Sequence, residues 1–485
     1  MRAIFDWVFI LFLLYAAYPW ASWLSTRASL PADRGLRVLT ALALGVGVLT
    51  LLMFWMGAAG VPYPFLSAAL PYLIVMLAGW NFWRHQRRTP PIESPPRGAP
   101  PARWARAGAL LIFAMIGSAV LYTALYWPFY RDDTLGIYMP QAQAMYRTGA
   151  LIPLTGADSL YKTYPMLVQL TYTFAYSVAG WEHEYLAKLI PALLALGCLG
   201  AAYQLGRLLG GRLGGWIAAV LLALTPAFGR WASSGYVDLP MAFFYTLAAV
   251  FGLRLRETSH WSDALLAGLM LGLAAWTKNA GLIGVPLLAV WLLWLVIERR
   301  ISWRLLAISL AACALVAAPW YIRNLIGAGF IIPATAWTDQ AQRSLETLLV
   351  FATRPENFGL PGLLIVAAIP LAVVEVARQR GQSSGTALAL LWTLPFFAAW
   401  WLFVSYDPRF LLLFLPTLCA LAGMYAARIG AYVPAAWQGR LAVGAVALAL
   451  LLAAVNAWYS AEYKDEFLRA PLMDDAAKRA IVRGE

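Results

Sequence analysis

Charge is what this 485-residue chain has least of. Only 12% of its residues are Asp, Glu, Lys or Arg, while 62% are hydrophobic; a soluble domain carries about 25% charged residues. So few charges cannot cover the surface of a chain this apolar, which excludes a water-soluble enzyme, and the same apolar excess excludes disorder. Cysteine is scarce too. Cys198, Cys313 and Cys419 each sit alone in apolar runs with no C-x-x-C spacing, which excludes a disulfide framework or a cysteine metal site and leaves small core residues. Of three histidines, His85 and His260 fall in loops and are expected to face solvent. His183 stands in Trp181-Glu182-His183-Glu184, but neighbours on a helix point in different directions, so this reads as a solvated juxtamembrane cluster rather than a metal site. Acidic residues are fewer than basic ones, 23 against 36, for a net charge of +13. No basic run interleaved with aromatics lies in a loop long enough to form a domain, so nucleic acid is not an expected partner. Excess arginine in so apolar a chain marks cytoplasmic loops instead.

What is abundant is apolar sequence in runs of about twenty residues, enough to cross about 30 Å of hydrocarbon. The runs fall at 3–24, 38–57, 63–83, 107–127, 186–206, 213–229, 239–254, 263–277, 280–298, 303–321, 360–377, 385–404, 410–427 and 441–459. The first has no small-residue cleavage site after it and reads as a retained anchor. The expected class is an all-α polytopic membrane protein with about fourteen transmembrane helices. A further stretch, 166–180, is short and carries Gln169, Thr171, Thr173 and Ser177.

That stretch decides the orientation. The segment 84–106 holds Arg84, Arg87, Arg88, Arg97, Arg103 and Arg106 among prolines and is cytoplasmic by the positive-inside rule. If 166–180 does not cross, then Arg207/Arg212, Arg254/Arg256, Arg299/Arg300/Arg304, Arg378/Arg380 and Arg428/Arg440 all fall inside; if it crosses, all of them flip outside. It is therefore expected to be an interfacial or re-entrant helix on the outer side. Arg27, Arg34 and Arg37 then lie inside and the N-terminus outside. The resulting organisation is a three-helix membrane module at 1–83, a Pro/Arg-rich cytoplasmic linker at 84–106, a main unit at 107–459 with a long outer loop at 128–185, and a short outer tail at 460–485.

On this topology the informative polar residues gather at the outer face. The first outer loop begins with Asp132 and Asp133 and continues through Tyr138, Gln141 and Met145 to Lys162, Tyr164 and Pro165. Later outer turns bring Asp238, then Lys278, then Arg323, then Asp407 and Arg409. One charge at a helix end is ordinarily a solvated one. Several carboxylates and cations at one face, beside apolar helix ends where charge is costly, suit another purpose. A carboxylate accepts a proton or holds a metal, and Lys and Arg hold phosphate. Trp231, Tyr236 and Tyr406 belong mainly to the interfacial belt, with stacking on a sugar as their alternative use.

At these residues the sequence resembles the GT-C polyprenyl-phosphate-sugar glycosyltransferases, in the bacterial branch near the protein O-mannosyltransferases and the aminoarabinose lipid A transferases. Asp133 precedes Tyr138 by five residues, with Ala144–Gly149 following. Lys162-Thr163-Tyr164-Pro165 precedes the short polar stretch. Asp238-Leu239-Pro240 opens a later helix, Thr277–Gly281 forms a Thr-Lys-x-x-Gly junction, and Arg409-Phe410 with Pro416 closes the set. The resemblance spans roughly 107–430. It implies a GT-C-like core with outer-face juxtamembrane helices and an inverting transfer from a polyprenyl-phosphate-linked sugar to a lipid, glycan or protein acceptor on the non-cytoplasmic side of a bacterial or archaeal inner or plasma membrane. Asp133 is implied as general base or acceptor-orienting group, with Asp132 or Asp238 in support or binding a divalent cation, Mg2+ or Mn2+, the one candidate cofactor. Lys162, Lys278, Arg323 and Arg409 are implied as donor-phosphate ligands, with Tyr164 and Tyr138 beside them. The chain departs from the pattern in lacking Glu-Lys-Pro-Pro and a large soluble C-terminal domain, and in its three leading helices.

Two other classes share the many helices. A transporter or lipid-linked-sugar flippase should place charges or helix breaks near the bilayer midplane, often in a repeated half; here the charges sit at helix ends and no duplication is visible. A polymerase using lipid-diphosphate donors should carry Arg-rich outer loops and a histidine.

Overall fold

Helices follow one another wherever the sequence is apolar, and glycine, proline or a polar cluster ends each of them. The structure is a computed structural model that describes residues 2–26, 33–62, 65–85, 101–154, 159–332, 340–379 and 383–484. Most of the 84–106 segment, with Arg87, Arg88 and Arg97, lies outside the described residues, as do Arg27 and Arg380. In chain order the helices are α1 (Arg2–Tyr15), α2 (Tyr18–Thr26), α3 (Arg34–Ala58), α4 (Phe65–Arg84), α5 (Arg103–Tyr126), α6 (Met139–Thr148), α7 (Ser159–Lys162), α8 (Leu167–Ala179), α9 (Glu184–Ala223), α10 (Pro226–Ala232), α11 (Asp238–Thr258), α12 (Trp261–Thr277), α13 (Gly284–Ile297), α14 (Trp303–Ala328), α15 (Leu345–Leu348), α16 (Val350–Thr353), α17 (Pro355–Gln379), α18 (Ser384–Phe403), α19 (Leu415–Tyr432), α20 (Ala435–Ser460), α21 (Lys464–Arg469) and α22 (Asp475–Arg483). Among the described residues there is no strand.

The chain is an all-α polytopic membrane protein. Helical structure covers each of the apolar runs, and ten helices are long and apolar enough to cross a bilayer. That count, made among the described residues, is fewer than about fourteen, in part because one helix holds two of the runs. Trp261–Thr277 is a shorter apolar helix. Helix α9 holds two runs in one element. At Gly210 and Gly211 the backbone leaves the helical region, with Gly211 at φ 72°, a left-handed value that glycine adopts without steric cost. The chain doubles back there: a Cβ at Gly215 would lie 2.7 Å from the Tyr203 carbonyl oxygen, so the two arms touch through bare backbone. The pair 186–206 and 213–229 is therefore a tight helical hairpin.

Helix α8, expected as an interfacial or re-entrant helix on the outer side, is enclosed by other helices of the protein. Leu167 through Tyr176 are all buried, enclosed by α6 and α9 and by α1, α3 and α4 of the leading module. Several of its polar residues bond within the protein, while Gln169 Oε1 and the Tyr176 hydroxyl have no partner among the described residues. Gln169 donates to Gln141 Oε1 at 3.1 Å, and Thr173 Oγ1 donates to the Gln169 carbonyl at 3.0 Å. The leading helices are part of the same core. The indole of Trp276 on α12 donates to Thr50 Oγ1 on α3 at 3.3 Å, and Phe54 packs against Trp276 with ring centroids 5.2 Å apart.

Helix ends segregate to two faces. On one, Arg207 pairs with Asp33 at 2.5 Å, Ser259 Oγ donates to the Arg300 carbonyl at 2.6 Å, Arg428 pairs with Glu375 at 2.6 Å and Trp23 meets Trp261. These contacts bring the basic loops together. On the other face lie the loop after α5, the turns before α11 and α13, the turn before α19, and the tail.

Candidate active site

Four elements at that second face converge. The loop after α5 places Asp133 directly before a π-helical turn, Thr134–Tyr138, that runs on into α6; such turns recur at functional sites because they swing side chains off the regular helical register. Asp238 opens α11, Lys278 stands at the extended break after α12, and Asp407 with Arg409 occupies a 3-10 turn, Pro408–Leu413, before α19.

Arg409 is the hub. Its Nη1 donates to Asp133 Oδ2 at 2.8 Å, and its Nε lies 3.3 Å from Asp407 Oδ2 and 3.9 Å from Asp238 Oδ2. Lys278 Nζ donates to Asp238 Oδ1 at 2.7 Å. Three carboxylates thus surround two cations. Asp238 is only 1% exposed, whereas Asp133 keeps 32% of its side chain accessible. The second oxygen of Asp238 has no hydrogen-bond donor among the described residues, nor does Arg409 Nε an acceptor. Buried polar atoms are ordinarily paired, and an orphan at a cluster of charges marks a place where a ligand would complete the set. Burial depresses the Arg409 guanidinium, but Asp238, Asp407 and Asp133 more than offset it and hold its pKa above the ordinary value. It stays charged at every physiological pH.

Aromatic rings wall the cluster. The guanidinium of Arg409 lies 4.8 Å from the Tyr236 ring, 5.1 Å from Trp231 and 5.3 Å from Phe410, and Lys278 lies 4.6 Å from Phe410. Trp231 leans on Tyr236 at 5.0 Å, and Tyr138 meets Tyr236 edge-on at 5.9 Å. The Tyr236 hydroxyl accepts from the Asp133 amide at 2.9 Å and so fixes the carboxylate's backbone. Gly235 makes this possible. It sits at φ 78°, and a Cβ there would fall 2.8 Å from both Phe129 and the Tyr172 hydroxyl. Burial and then Asp133 push the Tyr236 phenol up to about 12. Burial, with Asp133 and Asp238, raises Tyr138 further. Both remain protonated and able to donate.

The sequence-predicted residues divide. Asp133, Asp238, Lys278, Arg409 and Tyr138 meet in this one cluster. Tyr164 stands beside it, its phenol raised by burial, by Tyr161 and by Asp133. Asp132 is exposed at the rim. Lys162 ends α7, half-buried, two residues before Tyr164. Arg323 is engaged elsewhere: its guanidinium stacks on Trp320 at 4.6 Å and donates to the Ile152 carbonyl, holding the first loop rather than the carboxylates. The cluster at His183 is also not the solvated group expected. Glu184 is buried and bound by Arg479 and Arg483, while His183 is half-buried against Trp7, Trp181 and Tyr185. Asp407 carried no assigned role in the sequence, although Asp407-Pro408-Arg409 are contiguous. The contribution of Arg131, Glu462 and Arg483 had no local signal.

No group of three or more His, Cys, Asp and Glu side chains suited to a metal ion occurs among the described residues. Asp133 and Asp407 face Arg409 and Asp238 faces Lys278, while Asp238 Oδ2 has no donor among the described residues.

The chain resembles known proteins at this site. Residues 163–322, which include Tyr164, Asp238 and Lys278, match the dolichyl-phosphate-mannose-protein mannosyltransferase family model. An undecaprenyl phosphate-alpha-4-amino-4-deoxy-L-arabinose arabinosyl transferase of Erwinia tasmaniensis is 30% identical over 159 residues, 31% of this chain and 28% of that protein. The lipid A galacturonosyltransferase RgtD of Rhizobium johnstonii is 28% identical over 275 residues, 56% of this chain and 51% of that one. The matches thus span between about a quarter and a half of these relatives' length. Among solved structures, ArnT of Cupriavidus metallidurans bound to undecaprenyl phosphate superposes with TM-score 0.52 at 17% identity, over 73% of this chain and 75% of that one. The oligosaccharyltransferase AglB of Archaeoglobus fulgidus, in complex with an inhibitory peptide and a dolichol-phosphate, superposes with TM-score 0.51 at 12% identity, over 78% of this chain and 59% of that one. The fold is the one these two solved structures share.

Proposed function

We propose that the chain is an integral-membrane glycosyltransferase that moves a sugar from a polyprenyl-phosphate donor to a lipid, glycan or protein acceptor. The observation that carries this reading is the Asp133–Arg409–Asp238–Lys278 cluster: a partly open carboxylate beside two cations, walled by aromatic rings at one end of a helical bundle. The likeness to an undecaprenyl phosphate–arabinosyl transferase, a lipid A galacturonosyltransferase and a structure holding undecaprenyl phosphate supports a lipid-phosphate donor. Charges gathered at helix ends favour this over a transporter, which would place them near the midplane.

Each group has a distinct task. Asp133 takes the proton of the acceptor nucleophile as that atom bonds to the sugar's anomeric carbon. The bond from that carbon to the phosphate oxygen breaks, and the leaving polyprenyl phosphate gains negative charge. Lys278 and Arg409 stabilise that charge by charge-assisted hydrogen bonds. Asp238 and Asp407 hold the cations in place before the donor arrives, so little reorganisation accompanies reaction. Trp231, Tyr236 and Tyr138 offer ring faces and protonated hydroxyls to the sugar. Attack from the side opposite the phosphate inverts the anomeric centre. Each carboxylate faces Arg409 or Lys278, so this reading assigns no step to a divalent cation. Lys162 remains a rim candidate for the donor phosphate and Asp132 for the acceptor.

Orientation follows from charge. The basic loops around Arg207, Arg254, Arg299, Arg300, Arg304, Arg378 and Arg428 share one face, which the positive-inside rule makes cytoplasmic. The cluster then faces the periplasm or exterior. The test is turnover of a panel of radiolabelled polyprenyl-phosphate sugars by the purified protein and by Asp133→Asn, scoring both transfer and hydrolysis. Consumption of one donor by the wild type and not by the variant supports the reading. An unaffected variant, or no turnover with any donor and acceptor, overturns it.

A further inference from the structure

Catalysis by a carboxylate on a loop requires that the loop be held, because a misplacement of about 1 Å costs about 100-fold in rate. The segment from Trp127 to Arg131 has no regular secondary structure, yet it is gripped from outside at several points. Lys188, 1% exposed, donates to the carbonyls of Thr123 and Pro128, both at 3.1 Å. Glu184 accepts from the Phe129 amide at 2.9 Å. Arg483, on the last helix, donates through Nε to the Phe129 carbonyl at 2.8 Å and also bonds Glu184. Arg131 pairs with Glu462 just after α20.

The tail reaches this loop across the end of α5. After α20 it turns sharply at Tyr463, whose ring packs on Trp127 and Tyr130 at 5.2 and 5.6 Å. Phe467 on α21 packs on Tyr126 at 4.8 Å, and the Tyr126 hydroxyl donates to the Pro471 carbonyl at 2.9 Å. On α22, Asp475 accepts from the Tyr185 hydroxyl at 2.8 Å, Lys478 lies 4.0 Å from the Tyr126 ring, and Arg479 pairs with Glu184 at 3.3 Å. These contacts run the length of 462–483 and end on a residue four positions before Asp133.

We propose that residues 462–483 are a strap that positions the Asp133 loop, with Arg483 and Glu462 as positioning residues that act through Phe129 and Arg131. The inference rests on the reading of Asp133 as the proton acceptor. The strap lies at the loop face, where it contacts the loop and the ends of α5, α9 and α20.

Arg483→Gln, Arg483→Lys and Glu462→Gln in the full-length protein test it, each alone and combined with Asp133→Asn. Arg483→Gln is expected to lower kcat about 10–100-fold with little change in the donor KM, and Arg483→Lys to recover part of the loss. Glu462→Gln is expected to do the same to a smaller degree, because its pair is more exposed. In the Asp133→Asn background neither change should cost more, since groups acting as one unit are not additive. Backbone hydrogen exchange across 129–138 should rise in Arg483→Gln. Full additivity with Asp133→Asn, or unchanged exchange in 129–138, overturns the strap. Should Asp133→Asn itself leave transfer intact, the functional reading falls instead, and the exchange measurement alone decides whether the strap holds the loop.

Discussion

Two buried ion clusters at opposite faces of the bundle use the same residue types to different ends. At the basic face, Arg254 and Asp263 form a closed pair, 4% and 1% exposed and 3.1 Å apart, and Thr258 donates to the other Asp263 oxygen at 2.7 Å. Charge is balanced one to one and each carboxylate oxygen has its donor. At the opposite face three carboxylates share two cations, one oxygen of Asp238 is left without a donor, and Asp133 reaches solvent. A satisfied buried pair needs nothing more. An unsatisfied one is costly to keep, and the aromatic walls around it have the shape of a site for a ligand that would complete it. Satisfaction, rather than burial or residue type, separates the structural pair from the candidate active site.

The largest expected effect breaks the comparison at its open end. Asp133→Asn keeps the size of the side chain and a hydrogen-bond acceptor for Arg409 but cannot take a proton. Transfer is expected to fall about 10²–10⁴-fold, the usual contribution of a general base, with the melting temperature little changed. Steady-state turnover alongside thermal unfolding in detergent measures both. A similarly isosteric Asp263→Asn at the closed pair should do the reverse, lowering stability while leaving turnover per folded molecule intact.

Replacing both partners of each pair sharpens the contrast. Apolar substitutes for a buried ion pair are often neutral or stabilising by about 1–4 kcal/mol, whereas removing one partner costs about 3–5 kcal/mol. Arg254→Met with Asp263→Leu is therefore expected to restore or raise the stability that Arg254→Met alone removes, and to keep activity. Lys278→Met with Asp238→Leu is expected to keep the fold and lose transfer, since the donor phosphate then meets one cation instead of two. Equal activity in the two double variants would erase the distinction.

How far the chain itself announces this arrangement depends on distance along the sequence. Apolar runs and arginine placement locate the helices and their two faces, because hydropathy and the membrane's charge asymmetry act locally. Asp133, Asp238, Lys278 and Arg409 are legible because each stands at a helix junction in a recognisable order. The burial of α8 is not legible. Its polar residues suggest a water interface, and only the packing of the three leading helices against it shows that Gln169 and Thr173 bond inside the protein. Arg323 misleads for a related reason: a cation at the right face is a candidate until the carbonyl of Ile152, far away in sequence, takes it. The strap is invisible for the same cause, as Arg483 and Phe129 lie more than three hundred positions apart.

A smaller effect is expected from His183, which lies at the face of the open cluster but is satisfied like the closed pair. Its Nδ1 accepts from the Leu186 amide at 3.2 Å and caps α9, a role only the neutral ring can play. Burial holds its pKa below the ordinary value of 6.5. The unfolded chain therefore binds the proton first as pH falls, and the stability that His183 contributes is lost as pH drops through 6.5 toward the lower folded value. A loss of about 1 kcal/mol, the size of a helix cap, is expected. His183→Asn keeps a capping oxygen and should flatten this part of the pH–stability curve; an unchanged slope would assign the acid sensitivity elsewhere.

The smallest expected effect is that of chelation, and it bears directly on what the open cluster leaves open. Each of its carboxylates already faces a cation. Asp133 and Asp407 face Arg409, Asp238 faces Lys278, and a divalent ion among them would have to displace both cations and meet their repulsion at short range. Lys278 and Arg409 are the groups an entering phosphate meets, and Arg409 Nε has no acceptor among the described residues. Transfer by the wild type is therefore expected to be unchanged in EDTA, while added inorganic phosphate should compete weakly with the donor, and the competition should weaken in Lys278→Met. Loss of activity in EDTA with recovery on Mg2+ or Mn2+ would mean that the carboxylates turn from the cations toward a metal when substrate binds, and Lys278 and Arg409 would then hold the carboxylates only in the resting protein.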